Sequence, residues 1–424
     1  MSVTQAGRID IAGPVGKLLH RRRLKNGTVM QSFGIDPLSG DLYVLQVMGG
    51  GIQLSDEPAA LTWETRKKNG DLCLTRLDPA GEITGYMYLR GFGHGVNLGV
   101  ENRDGVIRLW TETASRLNRS GTAGYGSAVT SFAFHSETVL DHGSTLHTEP
   151  YSPDPAAAFV TPTIDRSANE LVLRFNLGDT THWERYDLDR AAAGDWQPIQ
   201  RITPAVPADG TDFQGYASHD GVLYTLKGRS LVSAPLPGDT YITAFDWATG
   251  ALLDHRHITA GPGLDFREPE GMTVSVRDGV PYLHFGFACE TEGPRTCTIM
   301  SLSGAPETDG VKVLTDWTPI ALAAGVTADT HLPQGRLISL GGTTTLQLSG
   351  AVKGSFAADT VIATLPDALT PSLTARAGVP RNGVDGVCVA RVEASRDGRL
   401  RLYGGRPTNV ITWAQLDSFS AVWS

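Results

Sequence analysis

Apolar residues fall in short runs along most of the chain, many alternating with polar positions and broken by Gly, Asn, Asp or Pro. Gly40-Asp-Leu-Tyr-Val-Leu45, Leu72-Cys-Leu-Thr-Arg-Leu77, Ile83-Thr-Gly-Tyr-Met-Tyr88, Gly221-Val-Leu-Tyr-Thr-Leu226 and Tyr241-Ile-Thr-Ala-Phe-Asp246 show the pattern. A period near two over so few residues predicts strands, and the breakers predict tight turns between them. Helical periodicity is nearly absent; Arg190-Ala-Ala-Ala-Gly194 predicts one short turn inside a loop.

The strand pairs also align with one another. Gln31-Ser-Phe-Gly-Ile-Asp36 leads to Gly40–Leu45, and Gln214-Gly-Tyr-Ala217 to Gly221–Leu226. His94-Gly-Val-Asn97 precedes Gly105-Val-Ile-Arg-Leu-Trp110, and Glu270-Gly-Met-Thr273 precedes Gly279-Val-Pro-Tyr-Leu-His284. Val160-Thr-Pro-Thr-Ile-Asp165 with Asn169–Arg174 is a weaker copy. Each copy is a hairpin followed by a second strand pair, at a spacing of about 50–67 residues. Four antiparallel strands per period make a propeller blade, and radial packing buries both faces of each blade. Five copies fit before about residue 312, so the expected fold is all-β, a five-bladed β-propeller over 1–312. A β-sandwich with look-alike hairpins is the competing arrangement. After Val311 the spacing changes to short strands at Leu337–Leu340, Thr345–Leu348, Val361–Leu365, Val387–Glu393, Leu400–Tyr403 and Val410–Trp413. These predict a second domain over 313–424, a small jelly-roll-like β-sandwich.

Composition narrows the function. The 49 glycines in 424 residues exceed the usual share of about 7%, in keeping with a turn-rich β chain. A net charge of −9 disfavours nucleic acid as the partner, and no apolar run approaches the roughly 18 residues of a membrane span. Met1 to Lys25 has no apolar core, which predicts no secretory signal. Arg21-Arg22-Arg23 reads as a solvated segment. Four cysteines make no disulfide framework, although Cys289 and Cys297 flank a hairpin turn across which they could pair.

No P-loop, zinc-protease helix or nucleophile-elbow motif is present, so no catalytic residue is assigned and no cofactor is expected. The aligned repeats point elsewhere. Their opening position holds Gln31, His94, Val160, Gln214 and Glu270. Equivalent positions of successive blades form a ring about the axis, and polar groups belong there only if a wet mouth satisfies them. Asn97 and Glu101 follow His94, and Arg267 and Glu268 precede Glu270, completing the candidate ligand-binding set. Amides and carboxylates suit sugar hydroxyls, and Arg267 suits a phosphate. The ring equally suits structural water or an ion, and a metal is left open. Trp63, Trp110, Trp183 and Trp247 are candidate stacking platforms or inter-blade packing. His255 and His257 share one strand face, and Glu290 and Glu292 belong to a solvated hairpin tip. A hydrolase would need two carboxylates across the mouth, and Glu101 with Glu268 or Glu270 is the visible set.

Gln31-Ser-Phe-Gly-Ile-Asp, His94-Gly-Val-Asn-Leu-Gly-Val-Glu, Phe213-Gln-Gly-Tyr-Ala and Arg267-Glu-Pro-Glu-Gly-Met resemble the receptor-binding propellers of phages that attack Gram-positive hosts, and related bacterial propellers linked to teichoic acid. Gly350-Ala-Val-Lys-Gly354, Val361–Pro366, Asp397-Gly-Arg-Leu400 and Ile411–Asp417 are similar to small β domains that close phage tail and baseplate proteins. Val160 departs from the polar pattern. The resemblance implies a homotrimer on the tail or baseplate of a phage or phage-like particle. It implies a cell-wall glycopolymer such as teichoic acid as receptor, other tail or baseplate proteins as partners, and synthesis in the host cytoplasm. A propeller hydrolase and a purely structural component of a baseplate or contractile injection system are the alternatives.

Overall fold

Five separate antiparallel sheets carry the repeats. The structure is a computed structural model describing residues 8–103, 105–207, 210–303, 311–329, 331–340 and 343–423. Residues 1–7, part of the segment read above for a leader, lie outside the described residues. Contacts divide the chain into a first unit, 1–259 with 265–305, and a second, 260–264 with 306–424. The sequence reading drew its boundary at 312/313.

Blade one is Met30–Ile35, Leu42–Val47, Leu72–Leu77 and Ile83–Arg90. Blade two is Gly99–Arg103, Val106–Leu117 and Gly124–Ala133. Blade three is Ala158–Asp165, Glu170–Leu177, Thr180–Asp187 and Pro198–Ile202. Blade four is Phe213–His219, Val222–Lys227, Tyr241–Asp246 and Leu252–His257. Blade five is Glu268–Arg277, Val280–Cys289 and Thr296–Ser303. Its fourth strand is Val15–Arg23, paired antiparallel with Thr296–Ser303, so the chain's beginning closes the ring. The arginines read as a solvated segment are therefore on an outer strand, where Arg21 pairs with Asp265 and Glu290 at 2.8 and 2.6 Å. Blade two departs from the four-strand expectation. Thr138–Asp141 instead joins the edge of blade one, parallel to Ile83–Arg90, held by Arg90–Asp141 contacts of 2.7 Å.

Apolar clusters straddle neighbouring blades, as radial burial requires. Val172 and Trp183 of blade three share one with Tyr216, Leu223 and Phe245 of blade four, and Leu19 and Ile299 of blade five share another with Phe33 and Val44 of blade one. Trp110, Trp183 and Trp247 are fully buried in such packing. At the axis the inner strands nearly touch. The residue after each opening position is Ser32, Gly95, Thr161, Gly215 or Gly271, and at Gly215 and Gly271 there is no room for a side chain. A Cβ on Gly271 would stand 2.6 Å from the Ser32 Cα, and one on Gly215 3.0 Å from the Gly271 Cα.

The disulfide left open by the sequence does not form. Ala288 pairs with Cys297 and Cys289 with Thr296, so the two sulfurs point to opposite faces of the sheet. Both thiols are free and buried, and burial pushes them up to about 11 and about 12.

In the second unit, a sheet of Val311–Val313, Gln334–Leu340, Thr343–Ser349 and Ser420–Val422 lies alongside an eight-stranded sheet. The larger sheet curls from Ala321–Leu322 to Thr327–Ala328 through Thr360–Thr364, Arg399–Tyr403, Val387–Ala394, Ala375–Val384, Ile411–Gln415 and Ala351–Phe356. One core, including Leu346, Val352, Ile362, Val379, Leu402 and Phe419, serves both. Alternation in these strands made the small β domain legible.

Candidate ligand-binding site at the axial mouth

The inner strands are not regular where the polar residues sit. The register slips between Met30 and Ser32 at Gln31, and between Phe213 and Gly215 at Gln214. It slips again between Pro269 and Met272, leaving Glu270 and Gly271 opposite Gly286. A bulge bends the strand and re-aims a side chain, here toward the axis. His94 precedes the first strand of blade two in an irregular segment. In blade three the slip between Ala158 and Thr161 turns Phe159 and Thr161 to the cavity while Val160 goes into the core. Phe159 pays for that aim with a left-handed φ of 55°.

These residues converge on one cavity of about 660 Å³ in the first unit. Gln31, His94, Gln214, Glu268 and Glu270 all line it. Trp63, Lys67, Tyr125, Arg174, Asp212, Phe213 and Arg295 join them, and apart from Trp63 the sequence reading missed these. Trp63 and Lys67 come from a helix, Trp63–Asn69, that strand periodicity did not reveal. Its signal was present in the capping residues. Thr62 Oγ1 accepts from the Thr65 amide at 3.2 Å, Gly70 ends the helix at φ 76°, and Arg66, Lys67 and Lys68 fill the last turn. Arg66 is fully buried and anchors the helix, donating to Glu57 at 2.5 Å, to Asp71 at 3.0 Å and to the Ile52 carbonyl at 2.9 Å.

One wall is aromatic. His94 stacks on Tyr125 at 4.6 Å, Tyr125 meets Phe159 at 4.6 Å, and the Arg174 guanidinium lies 4.1 Å from the Phe213 ring centre. Several buried polar atoms here have no hydrogen-bond partner: His94 Nδ1, Thr161 Oγ1, Arg174 Nε and Arg295 Nη1. Buried donors and acceptors are ordinarily satisfied, so such a cluster in a concave site marks a place for a ligand or water. Burial, with Lys67 nearby, holds the His94 imidazole down at about 4 and hence neutral at pH 7. Burial lowers Arg174 to about 10, leaving it charged. Burial raises the Glu268 carboxyl, with Arg295 opposing the shift, and burial next to Glu268 holds Glu270 well above the usual carboxylate range.

Three of the sequence-derived candidates lie outside this cavity. Asn97 donates to the carbonyls of Pro162 at 3.0 Å and Tyr216 at 3.1 Å, tying blade two's inner segment to blades three and four. Arg267 is buried, donates to the Ile258 carbonyl at 2.7 Å and faces the Phe287 ring at 4.4 Å. Glu101 accepts from Trp110 Nε1 at 2.9 Å, pairs with Arg103, and borders a separate cavity of about 460 Å³ with Arg166 and Asp189. Glu101 therefore does not line the cavity of Glu268 and Glu270, and the pair expected from the sequence is not assembled. Of the tryptophans, Trp63 lines the mouth, and Trp110, Trp183 and Trp247 are packing residues. Among the described residues no group of three His, Cys, Asp or Glu is placed to hold a metal ion.

A Bacillus subtilis (strain 168) protein assigned by name to teichoic acid biosynthesis is 28% identical over 302 residues, 68% of this chain and 63% of its own length. The chain thus spans less than two thirds of that relative. The tail fiber of Staphylococcus aureus phage P68 superposes with a TM-score of 0.52 at 16% identity, covering 81% of this chain and 74% of that one, a likeness of fold. An alpha-L-arabinofuranosidase from Lactobacillus brevis matches at a TM-score of 0.38 and 13% identity, over 68% of this chain and 94% of that one, too low to carry an argument. Residues 29–292, more than half of the sequence and the span of the five hairpins with their axial mouth, match the phage 5-bladed beta propeller receptor binding platform domain, and the chain belongs to that family.

Proposed function

We propose that the axial mouth recognises a repeat of a bacterial cell-wall glycopolymer, of the teichoic-acid kind, and that the chain serves as a receptor-binding protein on the tail or baseplate of a phage or phage-like particle. The observation that supports this best is the set of orphaned polar atoms among the residues lining the cavity: His94 Nδ1, Thr161 Oγ1, Arg174 Nε and Arg295 Nη1. Aromatic faces for sugar rings, amides for hydroxyls and guanidinium groups for phosphate are the chemistry such a polymer needs. The second unit is proposed to carry oligomer contacts, with a homotrimer and neighbouring tail or baseplate proteins as partners. Copies on one particle would add avidity, so each mouth can bind weakly.

Binding to purified cell walls, before and after removal of their phosphate polymer, tests the reading. Stripping should abolish binding, and Glu270→Ala should weaken it about tenfold to hundredfold, the range for one lost charged hydrogen bond. Wall binding unchanged by Glu270→Ala together with His94→Ala would move the receptor site away from the mouth.

A further inference from the structure

The cavity carries charge of both signs. Its cations are Lys67, on the helix inserted in blade one, and Arg174 of blade three, with the neutral His94 ring near Lys67; its carboxyls are Asp212, just before blade four, and Glu268 and Glu270 of blade five. Arg295 stands beside Glu268 and faces the Phe266 ring at 3.8 Å. Among the described residues, neither Lys67 nor Arg174 is in an ion pair, and Glu268 and Glu270 accept no hydrogen bond. Lys67 faces the Trp63 ring at 5.0 Å instead. Charges of both signs sharing one concave site would ordinarily neutralise each other, because an unpaired buried charge is costly. Here Lys67 and Arg174 keep open donors while Glu268 and Glu270 keep open acceptors. A polyol phosphate without an amine would answer the cations and leave Glu268 and Glu270 without a partner.

We propose that the mouth selects a zwitterionic unit, with a phosphodiester held by Lys67 and Arg174 and an ammonium group held by Asp212, Glu268 and Glu270. The proposal rests on the mouth being the receptor site and specifies what that receptor must carry. A wall polymer with amino substituents is the source argued here, and an aminated lipid headgroup shares the chemistry.

The test uses the full chain and three soluble probes in titration calorimetry: glycerophosphoethanolamine, its N-acetyl derivative, and glycerophosphoglycerol. The first should bind about tenfold or more tightly than the other two, the gain expected of a charge-assisted contact. Glu268→Gln with Glu270→Gln should reduce that preference to about one, whereas Lys67→Ala should weaken all three probes. Melting curves of the variants verify that they are folded, and Asp212→Asn offers a second, milder removal of acidic charge. Equal affinity for the amine and its N-acetyl form overturns the zwitterion and leaves the receptor reading standing. So does a preference that survives in the double variant. Wall polymer whose amines have been acetylated should bind less than untreated polymer. Binding to phosphatidylethanolamine vesicles but not to wall polymer overturns the wall source. Walls and all three probes failing to bind overturns both the receptor reading and the zwitterion.

Discussion

Replacing Gly271 with alanine tests the contact on which the axial mouth depends. Gly271 has φ +72°, a left-handed conformation that costs an L-residue about 1–2 kcal/mol. The added Cβ would also lie 2.6 Å from Ser32 Cα and 3.1 Å from Phe33 N. Both are backbone atoms, so no side chain can swing away, and blades five and one must part. Overpacking of that kind costs about 1–3 kcal/mol, giving about 2–5 kcal/mol in all. Gly279→Ala, in the same hairpin, is the control: φ is +77° and nothing lies within 4 Å of its Cβ, so only the backbone cost applies. Urea unfolding should put Gly271→Ala about 1–3 kcal/mol below Gly279→Ala, with m-values alike. Because Glu270 adjoins Gly271, the first variant should also lose wall binding while the second keeps it. Equal stabilities for the two variants would refute close contact of the inner strands at the axis.

Glu270→Gln should stabilise the protein increasingly as pH rises. The folded carboxyl holds its proton above the unfolded value of 4.5, so wild-type stability falls as pH climbs through the raised folded value, and the amide is free of that loss. A difference in melting temperature that stays flat between pH 4 and 8 would count against it. His284 hydrogen-bonds with Ser275 and Ser301 at 2.7 Å each, and burial depresses it to about 3. Its contribution is complete above an unfolded value near 6.5 and is lost as pH falls toward 3, at up to about 1.4 kcal/mol per pH unit, so His284→Gln should show a shallower acid decline in denaturant titrations. Arg66→Met leaves Glu57 and Asp71, only 8% and 4% exposed, without their cation. The loss should be about 3–5 kcal/mol in thermal or urea unfolding, and Lys67-dependent probe binding should fall with it.

The repeat was legible because each blade needs the same turn and the same small residue beside the axis, so selection for geometry leaves a periodic trace. The strand Val15–Arg23 left none, since an outer strand buries only Leu19 fully and otherwise carries charge. At the mouth, Gln31, His94, Gln214 and Glu270 were found because they occupy one repeated position. Arg174 and Arg295 were not, because each comes from a different place in its blade; Asp212 stands two residues before Gln214 as Glu268 stands two before Glu270, a parallel in the sequence that went unread. Asn97, Glu101 and Arg267 were drawn in by nearness in sequence. On a strand that nearness puts successive side chains on opposite faces, and around an irregular corner it predicts even less.

The closing strand also sets a timetable. Val15–Arg23 is made some 280 residues before its partner Thr296–Ser303, on the order of tens of seconds at ribosomal speed. Until then its backbone edge stands open, and an open edge invites pairing with any extended chain nearby, including sister chains from the same message. Lys17, Arg21, Arg22 and Arg23 put four cations on that edge, the kind of charge that blunts edge pairing, and in the folded chain Arg21 pairs with Asp265 and Glu290. Neutralising those cations should therefore lower the yield of soluble protein more than it lowers the stability of molecules that have already closed.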